Sequence, residues 1–365
     1  MDSDNKHKAV TGIQLLIKTC KAAKDSISNP EPTEEDPPPL PVLHKDLLSL
    51  LSLVYGSTTK ISLALKPSSP TYSACLIPLK ELSERIAAIS HCVNMFNTSA
   101  HGSVLVKTVK VVAIEVIESV QDLAILFFEI EGSGERSRSG DDYLVKTGAV
   151  HSIIDLARRE DGLPRDNLTA VRRHWSKDTG GLEDGIKEVG EMIEDAQSDK
   201  DFDFEDGWEE LGIEPSKPLT GQEMEVAKKV LIVLRLCSLL HGKVISDILS
   251  SPASLPNAFL DDLAALSPAL LSSSDELIST LDSPQDIDCV RTELMVLQRV
   301  IDDIRNQLAT LNNEPNTLAA VHKDTSPDEV SVSANRSLRE RWFNGCFYQI
   351  ARAIQSVLDV TANGI

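Results

Sequence analysis

The chain has 365 residues and carries 36 Lys and Arg against 56 Asp and Glu, which gives a formal net charge of −20. This acidic balance argues against generic binding to nucleic-acid phosphates or anionic membranes, because both need a basic surface. Hydrophobic residues make up 41% of the chain but aromatic residues only 4%, so aliphatic side chains must fill the core of what has the composition of an ordinary globular protein.

Helical periodicity dominates the chain, and no segment alternates as a half-buried strand does. In chain order, helices are predicted at about residues 9–27, 42–65, 71–97, 105–127, 141–160, 166–197, 226–244, 258–282, 290–311 and 343–357. The clearest apolar stripes, in the ranges that begin at 226, 290 and 343, have spacings of three and four. Each stripe must be buried against neighbouring helices. The fold class is therefore all-α, with about ten helices in two packed bundles.

Two of these helices have special features. The helix 105–127 is apolar on two faces, which predicts a central position in a bundle. The helix 166–197 contains Gly180 and Gly181. Since glycine costs about 1 kcal/mol relative to alanine inside a helix, we expect a kink or a break there.

An acidic segment marks the middle of the chain. Residues 191–214 hold eleven acids and one lysine, so 1 − 11 gives a net charge of −10 in this segment. The segment suggests an N-terminal bundle over 1–198, an acidic linker over 199–219 and a C-terminal bundle over 220–365. The linker is either a solvated spacer or a docking segment, since Phe202, Phe204 and Trp208 alternate with its acids.

Basic residues are gathered before this segment. They are Arg158, Arg159, Arg165, Arg172, Arg173 and Lys177. A nucleic-acid footprint is normally denser and more continuous. The cluster is either a mixed surface or a place where the acidic segment docks by charge attraction.

No pattern of catalytic or metal-binding residues is present. The chain lacks the phosphate-binding GxxxxGK[ST], the zinc-binding HExxH and the nucleophile GxSxG patterns. A calcium loop starting at Asp201 fails, because Asp206 occupies the glycine position and Gly212 the glutamate position. His91, His151 and His241 lie in apolar helical stretches and are predicted to be hydrogen-bonded residues at the edge of the core rather than ligands. We therefore expect no enzymatic activity, no cofactor and no metal.

The cysteines, the first ten residues and the charges within the apolar stretches indicate where in the cell the protein resides. The six cysteines are isolated in sequence, which favours buried thiols in a reducing compartment over disulfides. Residues 1–10 lack the apolar region of a secretory signal, and Lys228, Lys229 and Arg235 interrupt the long apolar stretch 226–240. We expect no membrane span and residence in the cytoplasm, the nucleus or both.

Ser-Pro dipeptides offer possible phosphorylation sites. They begin at Ser69, Ser251, Ser267, Ser283 and Ser326. Serine followed by proline is also a common way to begin a helix. We expect Ser283 and Ser326 to be helix caps, and Ser69 to be the better regulatory candidate.

Two short motifs carry a family resemblance. Residues 163–167, here called the PRDN turn, lead into the helix 166–197, and Asp166 or Asn167 can cap that helix. Residues 260–262, here called the LDD motif, follow the acidic, tryptophan-containing spacer. The motif positions are Pro164, Arg165, Asp166, Asn167, Leu260, Asp261 and Asp262. This order of elements resembles the cyclin-D-binding protein family.

The resemblance implies a non-enzymatic, all-helical protein of paired bundles with an architecture like that of vinculin and α-catenin. It also implies nuclear and cytoplasmic residence, and inhibitory binding to protein partners such as cyclin-like or helix-loop-helix regulators. Family members lack a basic DNA-binding region, and this chain has no basic run before any helix. It departs from animal members in its Pro-rich segment 28–41 and its long connection 313–335.

The final predicted helix is the best candidate for a partner-binding element, because it follows a long polar connection and carries Trp342, Phe343 and Phe347. Such a helix can exchange between its own bundle and the groove of a partner. The alternative function is a cytoskeletal or adhesion-type helical scaffold.

Overall fold

A computed structural model describes residues 2–30, 37–133, 141–197, 219–250, 255–313 and 327–362. In these ranges the chain forms helices and no strand, which confirms the all-α prediction. In chain order they are α1 (Asp2–Ser28), α2 (Leu40–Ala64), α3 (Tyr72–Asn94), α4 (Thr98–His101), α5 (Ser103–Ser133), α6 (Asp142–Arg158), α7 (Asn167–Gln197), α8 (Gly221–Asp247), α9 (Asn257–Ala264), α10 (Leu266–Ser279), α11 (Ile287–Asn313) and α12 (Pro327–Ala362). The architectural likeness to vinculin and α-catenin stays a prediction.

The chain divides into two compact units, Met1–Ala170 and Val171–Ile365. This division differs from the predicted domains 1–198 and 220–365, because most of α7 belongs to the second unit. Trp175 of α7 is fully buried there, and its indole Nε1 donates to the backbone oxygen of Leu263 at 3.1 Å. Residues 199–218 of the predicted acidic linker lie outside the described residues.

The first unit is a closed ring of five long helices. Helix α1 packs against α3 and α5, α2 packs against α3 and α6, and α5 packs against α6. Leu105, Val109, Val116 and Val120 of α5 are buried, as its two-faced apolar pattern predicts. Aliphatic side chains therefore provide most of the driving force for closing this ring.

A polar seam joins α2 to α6 inside this unit. The Ser62 and Thr147 hydroxyls are 2.6 Å apart, and Thr59 Oγ1 lies 3.1 Å from His151 Nε2. The His151 ring also stacks on Tyr55, with centroids 3.7 Å apart. Burial lowers the pKa of His151 below its ordinary value. The hydrogen bonds compensate for burying polar groups, so this histidine has a structural role, as predicted. The same prediction is wrong for His91 of α3, which is exposed.

Helix α2 is long and apolar enough to cross a membrane by length and composition alone, the one such helix among the described residues. Its residues Leu43, Leu47, Leu51, Val54 and Ile61 are buried within the first unit. A core helix of this kind passes the same compositional test as a membrane span, so the finding is weak evidence for membrane insertion.

The second unit buries the three clearest apolar stripes. Helix α8 packs against α10 and α12, and α11 packs against α9, α10 and α12. The stripes of α8 from Val226 to Val244, of α11 from Val290 to Leu308 and of α12 from Phe343 to Val357 all lie in its core. The predicted helix 258–282 is divided at Ala265 into α9 and α10.

The start of α8 is tied to the connection between α10 and α11. Thr220 and Glu223 form a reciprocal capping box, in which each side chain accepts a hydrogen bond from the backbone of the other. Glu223 Oε1 also accepts from the Gln285 backbone N–H at 2.8 Å. Burial raises the pKa of Glu223, but the hydrogen bonds from Gln285, Thr220 and Ser283 outweigh it and hold the pKa below its ordinary value. The carboxylate therefore stabilises two helix connections at once.

The prediction that Ser283 caps α11 is wrong. The Ser283 hydroxyl instead lies 3.3 Å from Glu223 Oε2. The cap is Asp286, whose Oδ1 accepts from the backbone N–H of Asp288 at 2.9 Å and of Cys289 at 3.3 Å. A carboxylate at this position also interacts favourably with the positive end of the helix dipole.

The predicted break at Gly180 and Gly181 is also wrong, because α7 is one helix from Asn167 to Gln197. The glycines allow close packing instead. A Cβ atom at Gly181 would lie 2.9 Å from Leu271 Cδ1, and one at Gly185 would lie 2.6 Å from Ile278 Cδ1, both on α10. The absence of side chains lets Leu271 and Ile278 pack directly against the backbone of α7.

Two double substitutions in α7 test this packing. Gly180→Ala with Gly190→Ala adds methyl groups into open space and should raise the free energy of unfolding by about 1–2 kcal/mol through helix propensity. Gly181→Ala with Gly185→Ala has the same propensity gain but must move the side chains of Leu271 and Ile278 on α10. The free energy of unfolding of this second pair, measured by urea unfolding, should be at least about 1 kcal/mol below that of the first pair. Equal stabilities for the two pairs would contradict the close contact.

Candidate functional site

The PRDN turn caps two different helices. The exposed Asp166 caps its own helix α7, since its Oδ1 accepts from the Thr169 backbone N–H at 2.7 Å. Asn167 is buried, and its Oδ1 accepts from the backbone N–H of Leu105 in the first turn of α5, at 3.1 Å. The sequence predicts Asp166 or Asn167 as a cap of α7 alone. The second cap was missed because its partner lies 62 residues earlier in the chain.

Gly102 allows Asn167 to reach α5. Its φ is +90°, which favours glycine, and a Cβ atom there would lie 2.0 Å from the Asn167 side chain. Pro164 is buried and Arg165 is exposed at the surface of the turn. The motif therefore closes the first unit just before the chain enters the second.

The LDD motif lies on α9 and supports the core of the second unit. Leu260 is buried, Asp261 is half-buried and Asp262 is exposed. The next residue, Leu263, supplies the backbone oxygen that accepts from Trp175 Nε1. The motif thus positions the hydrogen-bond acceptor of a buried tryptophan, and this contribution of Trp175 was not predicted.

A buried polar chain continues from Trp175. The Trp175 ring stacks on His241, with centroids 4.9 Å apart. His241 Nε2 lies 2.9 Å from Ser267 Oγ, and Ser267 Oγ donates to Asp178 Oδ2 at 2.6 Å. Because the serine proton goes to the carboxylate, His241 must donate from Nε2, which leaves Nδ1 unprotonated. This Nδ1 is buried without a hydrogen-bond partner.

This arrangement is unsuited to nucleophilic catalysis. In a catalytic triad the histidine accepts the serine proton and the acid orients the histidine. Here the serine lies between the two, and Ser267 is fully buried. Burial lowers the pKa of His241 to about 4, and Asp178 opposes this only in part. The prediction that His241 is a hydrogen-bonded core residue is therefore confirmed.

The thiols also lack the features of a reactive site. Cys20, Cys75, Cys92, Cys237 and Cys346 are buried and Cys289 is exposed, all as free thiols. Burial raises the pKa of Cys20 and of Cys237 to about 12, which suppresses the nucleophilic thiolate. Within the described ranges, no three His, Cys, Asp or Glu side chains are grouped so that they could hold a metal ion.

A cleft in the second unit, here called the α12 cleft, is the best candidate for a binding site. Its volume is about 150 Å³, and it lies between the end of α8, the last turns of α11 and the middle of α12. It is lined by Ile248, Arg305, Leu308, Ala309, Leu311, Arg339, Glu340, Phe343, Asn344 and Phe347. A small concave site with an apolar floor and charged edges suits the side chains of a protein partner.

The predicted aromatic residues of α12 have different positions around this cleft. Phe343 and Phe347 are buried, and both line the cleft. Trp342 is 37% exposed, and Leu338, one helical turn earlier, is 61% exposed. Residues four apart on a helix lie on the same face, so these two form an exposed apolar pair on α12, and neither of them lines the cleft. Leu338 was not predicted, because a single exposed leucine has no signature in sequence.

Cations surround these aromatic rings. Lys243 Nζ lies 5.4 Å from the centroid of Trp342, and the Arg305 guanidinium lies 5.6 Å from that of Phe347. Arg339 donates to the Asp247 backbone oxygen at 3.3 Å. The cleft is thus lined by two guanidinium groups and one carboxylate on a chain whose net charge is −20. Cation–π contacts of this kind hold the rings and charges in fixed positions.

The other predicted interaction residues, Phe202, Phe204 and Trp208, lie outside the described residues. The docking of their segment onto the basic cluster stays a prediction.

The PRDN turn generates a prediction about local stability. Asn167→Ala leaves the Leu105 N–H unpaired in a buried position, so the free energy of unfolding should fall by about 1–3 kcal/mol. Asp166→Ala removes an exposed cap and should cost about 1 kcal/mol or less. Hydrogen exchange should accelerate at the start of α5 in the first variant and at the start of α7 in the second. Faster exchange at α7 in both variants would argue against the α5 cap.

The burial of His241 predicts that the stability of the fold depends on pH. Its pKa is about 4 in the folded chain against 6.5 ordinarily, so the unfolded chain binds more protons between these values. Stability should therefore fall by about 3 kcal/mol as the pH drops from 6.5 to 4. His241→Gln keeps a donor for Ser267 but does not titrate. Urea unfolding at several pH values should show that the variant loses less free energy of unfolding than the original chain as the pH falls. If both chains lose the same amount, His241 is not the group responsible.

Two family models match the chain. The one described as Grap2 and cyclin-D-interacting, N-terminal, matches residues 46–195, and the one described as Grap2 and cyclin-D-interacting, C-terminal, matches residues 204–306. No curated protein matches the chain. The first range contains the PRDN turn and the second contains the LDD motif. Since the two ranges together cover most of the sequence, the chain belongs to the Grap2 and cyclin-D-interacting family.

Proposed function

We propose that this chain is a non-enzymatic regulator that binds a protein of the cell-cycle or transcription machinery and does not contact DNA. The observation that carries the proposal is the family match over residues 46–195 and 204–306, since the family is named for interaction with cyclin D. A cyclin-like protein or a helix-loop-helix regulator is therefore the proposed partner. Such a role fits residence in both the nucleus and the cytoplasm.

The α12 cleft and the exposed pair Leu338 and Trp342 of the same helix are the proposed contact surface. Trp342 offers a large, partly exposed ring held by Lys243, and Leu338 extends the apolar surface by one helical turn. Tryptophan and arginine are the residues that most often dominate binding energy in protein interfaces. A partner helix with apolar residues on one face and a carboxylate near Arg305 or Arg339 would complement this surface.

The charge distribution supports a protein partner over DNA. Described lysines on several helices are paired with carboxylates, as in Lys24–Glu118 and Lys146–Asp122. The excess of acid over base would repel a phosphate backbone at long range. The two arginines of the α12 cleft are a local exception, and they are suited to one or two carboxylates rather than to a run of phosphates.

Binding measurements with two α12 variants test the proposal. Calorimetry should detect binding of the full-length chain to a purified D-type cyclin or to a helix-loop-helix domain. Trp342→Ala should weaken this binding about 30-fold, which corresponds to the loss of roughly 2 kcal/mol from a hot-spot residue. Tyr348→Ala is the matched control, since Tyr348 is also an exposed aromatic residue of α12 but lies six residues after Trp342 and therefore about 120° away around the helix. It should leave the affinity unchanged.

Different outcomes reject different parts of the proposal. Equal losses for Trp342→Ala and Tyr348→Ala would reject the face of α12 that carries Leu338 and Trp342 as the contact surface. Absence of binding to either partner class, together with co-sedimentation with actin filaments, would favour a cytoskeletal scaffold. Tight binding to a short DNA duplex would contradict the proposal that the chain does not contact DNA.

A further inference from the structure

The Ser-Pro dipeptides of the chain differ sharply in accessibility. Ser267 is fully buried and its hydroxyl donates to Asp178. Ser283 is half-buried beside the Glu223 carboxylate. Ser69 is exposed, in the turn that connects α2 to α3. Ser251 and Ser326 lie outside the described residues.

We propose that Ser69 is a phosphorylation site for a proline-directed serine/threonine kinase. Its backbone N–H donates to the Lys66 oxygen at 3.0 Å, which closes a tight turn. Among the described residues, its hydroxyl has no hydrogen-bond partner that phosphorylation would have to displace. The modification therefore leaves the buried polar contacts of the first unit intact.

The local sequence suits recognition by such a kinase. Pro70 follows the acceptor directly, and Pro67 lies two residues before it. A residue that precedes proline is biased toward extended backbone conformations, which a substrate segment adopts when it lies along an enzyme groove. The turn belongs to neither helix, since α2 ends at Ala64 and α3 begins at Tyr72. The acceptor can therefore be presented without unwinding a helix.

The chemical step is an ordinary phosphoryl transfer. Ser69 Oγ attacks the γ-phosphorus of ATP, an Oγ–P bond forms, and the bond between the γ-phosphorus and the bridging oxygen breaks. ADP leaves with that electron pair, and the hydroxyl proton passes to the catalytic aspartate of the kinase. The product adds a charge of about −1.5 to −2 close to Lys66 and to the first turn of α3. Both neighbours favour a negative group, so the folded state accommodates it.

The experiment uses the folded full-length chain, ATP and a purified proline-directed kinase, with phosphate at each serine followed by mass spectrometry. Ser69 should be modified at least ten times faster than Ser267 or Ser283. A synthetic peptide of residues 62–76 serves as the reference for a substrate without tertiary structure. The initial rate at Ser69 should be within about threefold of the peptide's rate.

Variants give the matched controls. Ser69→Ala should abolish the modification of this turn, whereas Ser68→Ala should leave it unchanged, since Ser68 is the adjacent exposed serine without a following proline. Pro70→Ala keeps the acceptor hydroxyl and should lower the rate at least tenfold. The proposal fails if the peptide is modified and the folded chain is not. It also fails if neither is modified, or if Ser68 is the acceptor.

Discussion

Long amphipathic helices can bury their aliphatic stripes only if the unpaired backbone groups at their ends are also satisfied. In this chain, the buried start of α5 is satisfied by a side chain from another element, and the start of α8 is satisfied by its own capping box. Asn167 supplies an acceptor to the start of α5, and Glu223 links the start of α8 to the connection before α11. An unpaired buried amide costs as much as several buried methyl groups contribute. These polar contacts therefore fix which helices can pack together.

The same constraint explains the two family motifs. The PRDN turn satisfies the start of α5, and the LDD motif leads to the carbonyl that pairs with the indole of Trp175. Neither motif lies in the α12 cleft, whose edges come from α8, α11 and α12. The motifs that identify the family therefore maintain its fold. The proposed partner surface uses other residues, with Trp342 and the two arginines held in place by cation–π and backbone contacts.

Sequence patterns located the helices well because helical periodicity is a local property. The stripes at 226–244, 290–308 and 343–357 are all buried, and His151 and His241, two of the three histidines predicted to be structural, have hydrogen-bond partners between helices. For the candidate site, the aromatic cluster of α12 was identified by composition. Arg305 was not identified as a site residue. In the sequence, a basic residue on the polar face of an amphipathic helix gives the same pattern whether or not it contacts an aromatic ring.

The sequence by itself determined the fold class, the approximate helix bounds and the family, since these depend on spacing and on short contiguous motifs. Only the tertiary structure decided that α7 belongs to the second unit, that Gly181 and Gly185 make room for α10, and that Asn167 caps a helix far from it in the chain. It also showed that Ser69 is exposed whereas Ser267 is buried. Each of these depends on which residues meet in space, and local sequence does not specify such distant contacts.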